Sequence, residues 1–299
     1  LTYAGNPENL ADLKTKRYKF VKGDICDQKL VRKLVKQVDV IISYAAETHV
    51  DRSIMEPDAF IKTDILGTYN LLEAARQNKN IKRYIQIGSD EVFGAIKKGS
   101  SAENYPFSPN SPYSASKAGA DHLVRAYHIT YDVPTIRTNG CNNYGPYQYP
   151  EKLISLFITN LLENKKVPVY GKGDQIREWI YVLDHCRAID LILKKGKIGE
   201  AYNIGTGERK KNLEVTKMIL HHLNLGHEMI EYVVDRPGHD ARYALNSAKI
   251  QRELGFKPKY KFKEGLKETV EWYKNNQSWW QKIKSGEFKN YYIKQYKKR

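Results

Sequence analysis

The sequence predicts an α/β fold: a doubly wound parallel sheet with a smaller C-terminal α/β lobe. Three observations carry that expectation. Strand-like and helix-like stretches alternate through the first two-thirds of the chain, the pattern of a parallel sheet with helical crossovers. Two strand-like stretches end in polar clusters, "AAETHVD" (45–51) and "GSDEVFG" (88–94), where open parallel sheets take up ligands. The 299 residues, 41% hydrophobic and 28% charged, suffice for one large core and a second lobe.

The elements follow in order. "RYKFVKGD" (17–24) reads as a strand ending at a turn, "DQKLVRKLVKQ" (27–37) as an amphipathic helix and "VDVIISYAA" (38–46) as a buried strand. Residues 58–78 space their apolar positions as a helix, and "IKRYIQIG" (81–88) is the next strand, delivering the adjacent acids Asp90 and Glu91. The clearest helix is 111–131, with Ser111 as its cap and Pro112 in its first turn. "VPTIRTN" (133–139) returns as a strand. Beyond it we expect a helix near 151–164, strands around a Gly turn within 167–182, a helix over 184–195 and a strand at 201–205. A helix at 212–224, a strand at 229–234, and helices near 247–254 and 263–282 complete the chain. The alternation weakens after about residue 140, where the second lobe is expected to begin.

Composition narrows the function. No apolar run reaches membrane-spanning length, and "LTYAGNPENL" lacks the basic and apolar regions of a signal peptide. Cys26, Cys141 and Cys186 have neither disulfide-framework nor metal-ligand spacing, so a reducing cytoplasm and no metal are expected. The net charge of +16 is spread through "KKGK", "KPKYKFK" and "KQYKKR" without a nucleic-acid signature. It reads as a solvated lysine-rich surface, with neither nucleic acid nor membrane as partner.

The chemistry-bearing residues sit at two places. Tyr113 and Lys117 stand four apart and share a helical face, where an ammonium can stabilise a phenolate. Such a phenolate can take a proton from a sugar hydroxyl as hydride leaves the same carbon. The spacing alone is weak; a preceding strand that ends in Ser89 strengthens it. Small Ala45 and Ala46 leave room for a cofactor against the backbone, and Asp24, at the end of the expected neighbouring strand, is placed for an adenine. The pair His221–His222 reads as part of a solvated helix face.

Several longer stretches carry a resemblance: "LTYAGN", "AAETHVDRSI", "SDEVFG", "SPYSASKAGADHLVRAYH", "NNYGPYQYPEKLI", "GKGDQIREWIYVLDH" and "DRPGHDARYA". Together they resemble the dTDP-glucose 4,6-dehydratases of the extended short-chain dehydrogenase/reductase superfamily, from residue 1 to about residue 280. The resemblance implies a Rossmann NAD-binding domain over 1–140, to which some later segments return. It also implies a lobe over 141–299 that mainly binds a nucleotide-sugar, and a homodimer.

By the same resemblance, Tyr113, supported by Lys117, takes the proton of the sugar 4-hydroxyl while NAD accepts hydride from carbon 4. Glu91 then removes the proton on carbon 5, protonated Asp90 gives its own to the departing 6-hydroxyl, and hydride returns to carbon 6. Ser89 stands where the family has threonine and still offers a hydroxyl to the 4-hydroxyl. The cofactor residues implied are Leu1, Thr2, Asp24, Ile25, Ala45, Ala46, Glu47, Thr48, Thr63, Tyr113, Lys117 and Asn143. For the nucleotide-sugar they are Thr48, Ser89, Asp90, Glu91, Asn142, Glu151, Lys152, Pro168, Tyr170, Arg177, Asn212, Arg236 and His239, the arginine forks suiting a diphosphate.

Departures at Ser43, Tyr44, Asp64 and Phe93 leave the proton transfers untouched. Family members also open with a strand, a Gly-rich turn, a helix and a strand ending in Asp, whereas this sequence starts at "LTYAGN". From that we expect the 299 residues by themselves to hold NAD weakly and to lack dehydratase activity. The alternatives are a nucleotide-sugar 4-epimerase, against which the Asp90–Glu91 pair argues, and a non-catalytic nucleotide-sugar-binding remnant.

Overall fold

A computed structural model of the protein describes residues 2–296. α1 (Gln28–Val35) starts at Asp27, whose carboxylate accepts the N–H groups of Lys29 and Leu30, and it buries Val31 and Val35. β1 (Val40–Ser43), α2 (Val50–Met55) and α3 (Pro57–Phe60) follow, then a π-helical turn, Ile61–Leu66, and α4 (Gly67–Gln77). β2 (Arg83–Ser89) ends in a 3-10 turn, Asp90–Phe93, ahead of α5 (Pro112–Tyr131) and β3 (Thr135–Gly140).

The second half contributes β4 (Asn142–Tyr144), α6 (Leu153–Leu162), β5 (Val167–Tyr170), β6 (Ile176–Tyr181) and α7 (Val182–Lys195). Next come β7 (Ala201–Ile204), β8 (Arg209–Lys211), α8 (Asn212–His222), β9 (Ile230–Val233) and α9 (Ala248–Leu254). α10 (Phe262–Asn275), α11 (Gln277–Ser285) and α12 (Glu287–Tyr296) close the described chain.

The main sheet has the order β1-β2-β3-β7, with every neighbour parallel. In register, Ser89 at the end of β2 lies beside Gly140 at the end of β3, and Gly140 beside Ile204. One edge of the sheet therefore collects the carboxyl ends of its strands. Helices cover it through clusters such as Leu72, Tyr84 and Val124, or Ile85, Ile136, Ile192 and Phe256, all buried. A third cluster, around Tyr144, Phe262, Tyr273 and Trp280, joins α6, α8 and α10 to the later strands. Among the described residues no helix is long and apolar enough to cross a membrane.

Several expectations are corrected. Residues 17–24 form no strand: Tyr18 and Phe20, which would have shared its inner face, are exposed, as is Val21, and no ladder forms there. Asp24 therefore opens a turn instead of ending a strand, its Oδ1 accepting the Cys26 N–H at 2.8 Å. The helix expected over 58–78 is interrupted by the π turn, which rotates Asp64 inward to accept the Glu47 N–H at 2.9 Å and the Ser116 hydroxyl at 2.7 Å. β5 and β6 flank the Gly turn as expected, and their partners lie elsewhere: β5 joins β9, and β6 joins β4 and β8. The helix expected over 263–282 breaks at Asn276 into α10 and α11.

Gly94 ends the acid-bearing 3-10 turn at φ 67° and ψ −162°, a region open essentially to glycine. An added Cβ would lie 2.1 Å from the Ser108 carbonyl oxygen. Gly94→Ala is expected to cost at least about 1–3 kcal/mol, read as a lower midpoint of thermal unfolding. An unchanged midpoint would show that the turn can be rebuilt without glycine.

Candidate active site

A cavity of about 440 Å³ opens at the carboxyl edge of the main sheet, facing β5 and β6. Ser89 closes β2 and caps the 3-10 turn, its hydroxyl oxygen accepting the Glu91 N–H at 3.3 Å. This cap turns Asp90 and Glu91 into the cavity. Opposite, the Ser111 hydroxyl accepts the Ser114 N–H at 3.1 Å and starts α5, so Tyr113 falls in the first turn and Lys117 one turn later. The Lys117 ammonium donates to the Ile87 carbonyl at 2.9 Å, fastening α5 to the end of β2.

The two acids have different surroundings. Asp90 is 4% exposed and its Oδ2 makes no hydrogen bond. Burial, with the charges of Glu91 and Glu178 beside it, pushes its carboxyl well above the usual range. Glu91 is less enclosed, and its Oε2 is within reach of the Ser114 hydroxyl at 3.4 Å and the Tyr243 hydroxyl at 3.3 Å. One buried carboxyl, pushed well above its ordinary range, thus stands next to a second one that is held by hydrogen bonds. Burial and the Glu91 charge also raise the Tyr113 phenol, while the Ser89 hydroxyl acts in the opposite sense.

The far side of the cavity is cationic. Arg177, on β6, is 4% exposed; its guanidinium donates to the carbonyls of Ile176 and Asp240, each at 2.9 Å, and lies 4.2 Å from the Tyr243 ring centroid. Burial, helped by the Arg236 charge, lowers its affinity for its proton, against the pull of Tyr243, Glu91 and Asp90. The Arg236 Nε is buried without a hydrogen bond, and Arg236 Nη1 lies 3.7 Å from Asp51. The Lys152 ammonium donates to the Thr48 carbonyl. His239 is held by Asp235 at 2.6 Å, and burial, helped by Arg236, pushes its imidazole down. Arg177, with half-buried Arg236 and Lys152 beside it, suits a ligand that carries several negative charges.

Most of the residues expected at a site meet here. Ala46, Thr48, Ser89, Asp90, Glu91, Tyr113, Lys117, Asn142, Asn143, Glu151, Lys152, Pro168, Tyr170, Arg177, Asn212, Arg236 and His239 all line the cavity. Thr2, Asp24, Ile25, Ala45, Glu47 and Thr63 do not line it, and Leu1 lies outside the described residues. Thr2 hydrogen-bonds the Glu47 side chain, and Ile25 packs against Gly67. Glu151 has both oxygens engaged, by the Tyr3 hydroxyl at 2.6 Å and Arg52 Nε at 2.9 Å, so it contributes a neutralised wall.

Sequence reasoning missed Tyr243, which bridges Glu91 and Asp240, and His185, which lies against Gly140. Tyr243 stands inside the quoted stretch "DRPGHDARYA" but in no spacing that points to the acid pair.

The chain is similar to known proteins in sequence and in fold. A family model described as GDP-mannose 4,6 dehydratase matches residues 1–269. A dTDP-glucose 4,6-dehydratase of Streptomyces niveus is 50% identical over 95% of this chain and 85% of its own. The dTDP-glucose 4,6-dehydratase 1 of Escherichia coli K12 is 48% identical over 100% of this chain and 91% of its own. The crystal structure of DesIV, a dTDP-glucose 4,6-dehydratase of Streptomyces venezuelae, was solved with NAD and TYD bound. It superposes with a TM-score of 0.93 at 48% identity, over 95% of this chain and 88% of that one. A UDP-glucuronic acid 4-epimerase of Bacillus cereus reaches a TM-score of 0.84 at only 27% identity, over 90% and 85% of the two chains. With half its residues shared over nearly its whole length, the chain belongs to the dTDP-glucose 4,6-dehydratase family.

Proposed function

We propose that the protein converts dTDP-glucose to dTDP-4-keto-6-deoxyglucose with NAD as a recycled cofactor. The observation that carries this reading is the acid pair at the end of β2, with buried Asp90, its carboxyl pushed well above the ordinary range, beside Glu91. A 4-epimerase has no water to eliminate and no use for such a pair.

The residues present fit NAD. The buried amide oxygens of Asn142 and Asn143 lack partners, and Ala46, Tyr113 and Lys117 face the same space. Ala45, Ala46, Glu47, Thr48, Thr63, Asn143, Tyr113 and Lys117 would hold it, with Thr2, Asp24 and Ile25 towards the adenine. When bound, NAD supplies the acceptor for hydride from carbon 4 and the donor that returns it to carbon 6.

The chain's own groups move the protons. Tyr113 accepts the proton of the 4-hydroxyl, which the Ser89 hydroxyl orients. Once carbon 4 is a ketone, the carbon-5 proton is acidified and Glu91 removes it. Asp90 gives its proton to the 6-hydroxyl, which leaves as water. Arg177, Arg236 and Lys152 bind the diphosphate, and Asn142, Glu151, Pro168, Tyr170, Asn212 and His239 hold the rest of the nucleotide-sugar. Residues 1–140 supply most of the cofactor side and 141–299 most of the substrate side, with β7 returning to the main sheet. A cytoplasmic homodimer completes the reading.

The test is turnover of dTDP-glucose by the full-length protein with NAD, followed as a 4-keto sugar. We expect a 4-keto-6-deoxy product; a 4-epimer as the sole product would favour the epimerase reading.

A further inference from the structure

Asp121 lies on α5 one turn beyond Lys117 and two beyond Tyr113, so the three side chains follow one stripe of the helix. It is 0% exposed, and neither carboxylate oxygen makes a hydrogen bond. Two other carboxylates at 0% exposure are differently kept. Glu178 accepts the N–H groups of Thr206, Gly207 and Leu245 and is paired with Arg209. Asp184 accepts those of Lys259 and Tyr260 and is paired with Arg187. Asp121 has two positive charges nearby instead, Lys117 on its own helix and Arg137 on β3.

From β2 it faces Tyr84 and the Gly88 backbone, where a Cβ would lie 3.3 Å from Asp121 Oδ1. The peptide carbonyl just before Gly88, that of Ile87, is the one that receives the Lys117 ammonium. The carboxylate thus lies beneath the point where the lysine is anchored. A buried carboxylate without hydrogen bonds costs stability, so a neutral isostere at this position should fold at least as well.

We propose that Asp121 is a positioning residue: its carboxylate fixes the Lys117 ammonium at the end of β2 and acts on Tyr113 only through that lysine. The assignment rests on the dehydratase reading, in which Tyr113 and Lys117 take part. As Tyr113 gains its proton and gives it up, the ammonium is pulled towards the phenolate and released. A fixed anion behind it keeps the lysine in one place through the cycle.

Burial raises the Asp121 carboxyl to about 6, against the pull of Arg137 and Lys117. A carboxyl raised on folding stabilises the folded state most below its unfolded value of 3.8, and that contribution is lost as pH rises to about 6. At neutral pH the ionised group therefore weakens the fold.

The test compares wild type, Asp121→Asn and Arg137→Met as full-length proteins with NAD. At pH about 7.5, Asp121→Asn should match or exceed the wild-type unfolding midpoint, lose about tenfold or more in kcat, and keep KM within about twofold. The wild-type kcat should fall as pH drops through about 6, where Asp121 takes up its proton. Arg137→Met should move that limb to higher pH and Asp121→Asn should remove it. The Arg137→Met profile reads the assignment even if Asp121→Asn fails to fold. An unaltered kcat in Asp121→Asn, or an acid limb that neither variant moves, overturns the assignment while leaving the dehydratase reading intact. A wild type that turns over no dTDP-glucose overturns both.

Discussion

Glu91→Gln is expected to leave nucleotide binding within about twofold and to cut dehydration by roughly a hundredfold or more, the usual contribution of a positioned base. The amide keeps the shape, so contacts to Ser114 and Tyr243 survive, but it cannot take the carbon-5 proton. Exchange of that proton with deuterated solvent should disappear as well. Asp90→Asn should differ: oxidation and carbon-5 exchange continue, water fails to leave, and the absorbance of reduced nicotinamide builds up. Wild-type turnover in Glu91→Gln would remove this residue from the chemistry. Equal behaviour of the two variants would contradict the division of labour between base and acid.

Tyr113→Phe should block the reaction one step earlier. The ring packs edge-on against Phe60, with centroids 6.2 Å apart, and phenylalanine preserves that contact, so binding should hold. Without the hydroxyl nothing takes the proton of the 4-hydroxyl, and oxidation should slow by a factor on the order of 10² to 10⁴. Mixing the variant with dTDP-glucose should give no reduced-nicotinamide absorbance, where Asp90→Asn gives a lasting one. Because burial and Glu91 hold the phenol above its ordinary value, the wild-type rate of oxidation should climb as pH rises past neutrality. A Tyr113→Phe protein that oxidises substrate at the wild-type rate would exclude this tyrosine as the base.

The sequence made local features legible and left remote ones hidden. α5 could be read almost to its ends because a capping serine and a first-turn proline are local signals. The acid pair was equally plain, since a strand, a cap and a glycine lie within eight residues. The segment 17–24 misled because alternation records a possible inner face but not the neighbour that must cover it. Tyr243 reaches Glu91 across 152 positions of chain, and the charge of Arg137 acts on Asp121 from a different element; no periodicity encodes either relation. The π turn at Ile61–Leu66 escaped for another reason: one widened turn hardly alters the spacing of apolar residues in a helix.

The most direct measurement follows a label. dTDP-glucose carrying deuterium at carbon 4 is converted by the full-length protein with NAD in ordinary water, and the product is examined by proton and deuterium magnetic resonance. If Asp90, Glu91 and Tyr113 act as assigned, the deuterium appears on carbon 6 of a 4-keto-6-deoxy sugar, with a solvent proton at carbon 5. Deuterium that remains at carbon 4, on either epimer, would contradict the account.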